Sequence, residues 1–112
     1  MQRVASRHNE RLREVARLIA SSRDRRKSGR CVLEGAHLVD VYCERIGAPE
    51  TLIVVDDSTA RPDVARLIAR VPPSRTIAIT RALFAEIATL PADVGALAVV
   101  ATPRPRLAPA AE

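Results

Sequence analysis

Five cations crowd into eight consecutive positions, Arg23-Asp24-Arg25-Arg26-Lys27-Ser28-Gly29-Arg30, and no other part of the chain concentrates charge so densely. A guanidinium presents a planar fork of donors that matches phosphate oxygens, and a lysine adds a compact point charge. Covering phosphates releases their condensed counterions, so binding by such a segment is strong at low salt and fades as salt rises. An exposed loop that only solubilises the chain has the same composition. The wider charge distribution favours a polyanion. Residues 1–30 carry ten basic and three acidic side chains, residues 31–112 eight and ten, so the net charge of +5 is an excess at one end. That asymmetry fits nucleic acid or an anionic membrane surface.

A second constellation is Leu33-Glu34-Gly35-Ala36-His37-Leu38, which sets an acid and a glycine where a strand hands over to a helix. In α/β sheets ligands gather at the carboxyl ends of strands. Gly35 allows close backbone approach, and a helix start favours an anion. Glu34 then accepts from a base edge or a ribose hydroxyl, or orients arginines; alternatively it is a helix-start acid and Gly35 a tight turn. Asn9, beside His8 at the head of the first helix, suits a base or sugar contact and, more simply, an N-cap. His37 reads as a packing or surface histidine.

Other chemistry is poorly supported. Cys31, Cys43, His8 and His37 match no zinc spacing, so the two cysteines read as buried free thiols. Ser28, His37 and Asp40 could be assembled into a triad, but no nucleophile elbow surrounds a serine. No glycine-rich phosphate loop occurs. Tyr42 and Phe84 are the only aromatics, so base stacking is weak and phosphates, riboses and shape should dominate any RNA contact. The start has no signal-like apolar segment and no run approaches the roughly 18 residues of a membrane span, which makes the cytoplasm the expected compartment and no membrane the expected partner.

The elements that must position these groups follow from periodicity. Leu12, Val15, Ala16 and Ile19 define an amphipathic helix over residues 8–22, capped by Ser6 or Asn9. Ser21 to Gly29 lacks an apolar period and reads as a basic loop. Arg30–Leu33 is a short strand, and Leu38, Val41, Tyr42 and Ile46 form the inner face of the next helix, ended by Gly47. Leu52–Val55 is a strand buried on both faces. Pro62 opens a helix with Val64, Leu67, Ile68 and Val71 inward, closed by Pro72 and Pro73. Thr76–Ile79 is a strand, Thr80 caps a helix with Leu83, Phe84 and Ile87 inward, and Leu97–Val100 is the last strand. The alternation implies an α/β fold: a mainly parallel sheet with helices on both faces. Residues 103–112, rich in proline and alanine, read as a linker.

With Asn9 ahead of an amphipathic helix, Ser22-Arg23-Asp24-Arg25-Arg26, and above all Cys31-Val32-Leu33-Glu34-Gly35-Ala36-His37-Leu38-Val39, the chain resembles the N-terminal substrate-binding domain of SpoU-type (TrmH-like) RNA 2′-O-ribose methyltransferases. Leu52–Val55, Leu83-Phe84 and Gly95–Val100 fit as well, so the resemblance spans about residues 6–103. It implies a three-layer α/β/α sandwich like that of certain ribosomal proteins and kink-turn binders. It also implies an RNA-binding domain over residues 1–102, and a linker, 103–112, to a knotted SPOUT catalytic domain absent from this chain. The catalytic domain would bind S-adenosylmethionine and form a homodimer, and this chain alone would bind no cofactor and catalyse nothing. The implied partner is structured RNA, foremost large-subunit rRNA, with tRNA the other substrate class. The implied contacts are Asn9, Arg23, Arg25, Arg26, Glu34 and Gly35, and the basic segment adds Lys27. A stand-alone ribosome-associated or kink-turn-binding protein of the same fold is the rival reading, and a protein-interaction domain with a solubilising basic end is a third.

Overall fold

The computed structural model describes residues 1–102, and the segment read as a linker, 103–112, lies outside the described residues. Five strands, β1 (Gln2–Val4), β2 (Arg30–Glu34), β3 (Thr51–Val55), β4 (Thr76–Ile79) and β5 (Ala96–Ala101), form one sheet in the order β1-β4-β3-β5-β2. Five helices accompany them: α1 (Glu10–Ala20), α2 (Ser22–Ser28), α3 (Ala36–Arg45), α4 (Pro62–Arg70) and α5 (Arg81–Ile87).

Side-chain alternation along the strands divides the interior into two cores. Ile53, Val55, Ile77, Ile79, Leu97 and Val99 face α1 and α5, where Leu12, Val15, Leu18, Leu83 and Phe84 close over them. Leu52, Val54, Ala78, Ala96, Ala98 and Val100 face α3 and α4, covered by Ala36, Val39, Val64 and Leu67. Helices therefore lie on both faces of the sheet, in the three layers expected.

The sheet is mixed, which corrects the expectation of a mainly parallel one. β1 and β3 pair parallel with β4, but β5 runs antiparallel between β3 and β2. The reason lies in α5. Its seven residues span only about 10 Å, too little to carry the chain back to the starting end of the strands. The chain instead turns through Ala92–Val94 and Gly95, whose carbonyl accepts from Val55 N–H at 3.3 Å. β5 thus begins where β3 ends and must run backwards.

Three further departures concern single elements. β1 was not foreseen, since only Val4 of its three residues is buried. The basic segment is helix α2, not a loop. In α3 the inner face is Ala36 and Val39, with Tyr42 and Cys43 partly buried, while Leu38 and Ile46 are exposed. The sheet beneath α3 is paved with Ala96 and Ala98, and small residues let a helix lie close, so size alone misidentified the buried stripe.

Candidate nucleic-acid interface

A seven-residue helix is marginal alone, and α2 buries none of its residues. Its ends are fixed locally. Ser21 Oγ accepts from Asp24 N–H at 3.1 Å, and Gly29, at φ 70°, closes the helix in the left-handed conformation that glycine adopts freely. Arg25 then ties α2 to α1, donating from Nη1 to Leu18 O at 2.8 Å and Ile19 O at 2.9 Å. Those carbonyls end α1 and have no intrahelical partner. Arg30 also turns inward. It donates to Glu14 Oε2 at 2.7 Å, while its Nε forms an ion pair with Glu50 Oε1 at 3.1 Å. Arg30's hydrogen bond holds the Glu14 carboxyl below its ordinary range, and Glu14 in turn raises Arg30. Of the five cations, Arg25 and Arg30 are thus structural. Arg23, Arg26 and Lys27 are exposed, with no hydrogen bond or ion pair to their side chains among the described residues.

The remaining candidates lie elsewhere. Glu34 and Gly35 stand at the opposite end of β2 from α2, about 13 Å away by strand rise. Glu34 is occupied: Oε1 accepts from Thr89 N–H at 2.8 Å and Leu90 N–H at 3.1 Å, and Oε2 from the Thr89 hydroxyl at 2.6 Å. Gly35 sits at φ 120°, and its N–H donates to Ala96 O at 2.8 Å. A side chain there would be strained by conformation rather than crowding, since the nearest atom to an added Cβ is Val94 Cβ at 3.9 Å. Asn9 is the N-cap of α1, its Oδ1 accepting from Arg11 N–H at 3.0 Å and Leu12 N–H at 3.3 Å. It begins the helix whose other end meets α2, about 16 Å along the axis.

The structure adds Arg13 and Arg17, which project from the exposed side of α1. The signal was present: their spacing of one helical turn, opposite the buried stripe Leu12, Val15 and Leu18, marks a continuous outer face. A shallow depression of about 340 Å³ runs between α1 and α2, with Arg17, Lys27 and Arg30 among its walls.

A second charged cluster braces the other end of the sheet. Arg81 donates to both Asp57 oxygens at 2.9 Å and to Asp93 Oδ1 at 3.0 Å, and Arg61 joins Asp63 to Asp93 O. Arg81's hydrogen bonds hold Asp57 below its ordinary range. These cations are paired and hold loops. Burial pushes the Cys43 thiol and the Tyr42 hydroxyl up, so both stay protonated at neutral pH. Among the described residues no group of three His, Cys, Asp or Glu side chains is placed to hold a metal ion, and no helix is long and apolar enough to cross a membrane.

The family model of the MRM3-like substrate binding domain matches residues 9–98. The chain belongs to that family. The match spans the N-cap Asn9, α2, the Glu34-Gly35 turn and the first half of β5, and it bears out the resemblance to SpoU-type domains. No curated protein matches the chain. Solved structures share the fold. An RNA 2′-O ribose methyltransferase aligns with a TM-score of 0.73 and 23% identity, over 95% of this chain and 40% of its own. The SpoU methyltransferase AviRb from Streptomyces viridochromogenes, in complex with AdoMet, aligns with a TM-score of 0.68 and 20% identity, over 87% and 37%. An rRNA methyltransferase from Sinorhizobium meliloti aligns with a TM-score of 0.65 and 15% identity, over 92% and 37%. The chain therefore spans 37 to 40% of the length of these relatives.

Proposed function

We propose that this chain recruits structured RNA, foremost large-subunit rRNA, to a SpoU-type 2′-O-ribose methyltransferase in the cytoplasm. Residues 1–102 form the RNA-binding domain, and 103–112 lead to a catalytic domain that supplies S-adenosylmethionine binding and dimerisation. The observation that carries the reading is α2: within a substrate-binding family, Arg23, Arg26 and Lys27 stand exposed and unneutralised on a helix that is fixed in place. The exit of the chain supports it. Thr102 N–H donates to Gly29 O at 2.8 Å, so the route towards a following domain starts beside the basic helix. Arg25, Asn9, Glu34 and Gly35 shape the scaffold, and on α2 the phosphate contacts fall to Arg23, Arg26 and Lys27.

The depressions described around α1 and α2 do not fit the cofactor. They are shallow and charge-lined, whereas an adenine and a methionine side chain need an enclosed, largely apolar slot. A titration of the Arg26→Ala/Lys27→Ala variant against a structured rRNA fragment tests the proposal. Loss of two phosphate contacts should weaken binding about tenfold and flatten its salt dependence by about two units. Unchanged affinity and slope would refute α2 as the RNA site.

A further inference from the structure

We infer that the outer face of α1 is itself a track for the backbone of double-helical RNA, with Arg17 at its centre. This rests on the reading that the chain binds RNA, and it names the form of RNA and a second set of contacts. Arg17 walls three adjoining depressions. One, of about 340 Å³, separates α1 from α2 and includes Lys27; another, of about 530 Å³, separates α1 from α5 and includes Arg7 and Arg13; the third lies along α1 beside Glu10, Arg11 and Glu14. Arg7, Arg13, Arg17 and Lys27 thus form one strip that crosses α1 and meets the α2 cluster.

The acids on this face do not cancel the strip. Glu14 is held by Arg30 at 2.7 Å, and Glu86 approaches Arg7 only at 4.0 Å with both side chains more than half exposed; Asp24, beside Lys27 in the α1–α2 depression, and Glu10, beside Arg17 in the third, remain on the face, where the four cations of the strip outnumber them. Exposed pairs at such distance are weak and are readily displaced by phosphate.

The strip also lacks what a single strand requires. Unpaired bases bind by stacking on aromatic faces. Phe84 is wholly buried, and Tyr42 packs into the core on the other side of the sheet. A net-basic surface without exposed aromatic faces suits a helix whose bases are already stacked and whose phosphates face outward.

The experiment compares two charge-matched double variants of the whole chain, Arg13→Ala/Arg17→Ala on the strip and Arg45→Ala/Arg66→Ala on α3 and α4 behind the sheet. Each is titrated against a duplex RNA, a single-stranded RNA of the same phosphate count and polyglutamate. The strip variant should bind duplex about tenfold more weakly, with a salt slope shallower by about two units, and the rear variant within twofold of the unaltered chain. The unaltered chain should prefer duplex to both other probes. If the strip variant keeps its affinity while Arg26→Ala/Lys27→Ala loses it, the strip is overturned and the RNA reading stands. If neither variant loses affinity for RNA, the RNA reading itself falls. Equal binding of single strand or polyglutamate overturns the duplex assignment.

Discussion

Glu34 shows how a residue's surroundings weigh on two roles that its type allows. A carboxylate at a strand end can accept from a ribose or hold a loop, and here three donors from Thr89 and Leu90 engage it. Glu34→Gln keeps one acceptor oxygen but turns an amide donor towards those donors. The expected cost is about 1–2 kcal/mol, a fall in Tm of roughly 4–8 °C for each kcal/mol, with duplex RNA affinity unchanged or slightly higher because a negative charge is gone. Calorimetric melting beside RNA titration checks this. Weakened discrimination between RNAs at unaltered Tm would show instead that Glu34 touches RNA. The sequence carried the Glu34-Gly35 pair and its position at a strand-to-helix turn. Its partners, 55 and 56 positions away, were beyond any local pattern.

At the scale of elements, the basic segment was misread because no apolar residue marks a period in it. α2 is helical through caps and through Arg25, not through a buried face. Strands were easier to read, since Thr76–Ile79 lies where its β-branched run stands. Three elements meet at Arg30, which bridges Glu14 on α1 to Glu50 ahead of β3. Because Arg30 depresses the Glu14 carboxyl, this contribution is complete above the ordinary carboxylate range and is lost as pH falls through the lowered value. Glu14 is partly exposed, so solvent screening limits the effect to about 0.5–1 kcal/mol. Glu14→Gln should therefore lower the urea midpoint at about pH 6, and the gap to the unaltered chain should close as pH falls through the lowered value. A difference that persists in acid would assign the loss to packing rather than to the ion pair.

For the molecule as a whole, isothermal calorimetry of this chain with S-adenosylmethionine should give no binding heat at micromolar concentrations, since the sequence holds no glycine-rich phosphate loop and the depressions described around α1 are open and lined with charged side chains. Saturable binding there would place cofactor chemistry in this domain and overturn the division of labour proposed above. The sequence by itself determined the alternation of elements, most of their apolar stripes, the charge excess in residues 1–30 and the family resemblance. These depend on neighbours within a turn or a strand, or on composition, and both are written along the chain. Only the tertiary structure decided the reversal of β5 and which cations are free. It also decided that α2 and Glu34 stand at opposite ends of one strand. Each of these turns on partners far apart in sequence: Arg30 on Glu14 and Glu50, Glu34 on Thr89, and Gly95 against the end of β3. A cation is most available to phosphate where folding has not already given it a close carboxylate or carbonyl, and that choice is made by packing.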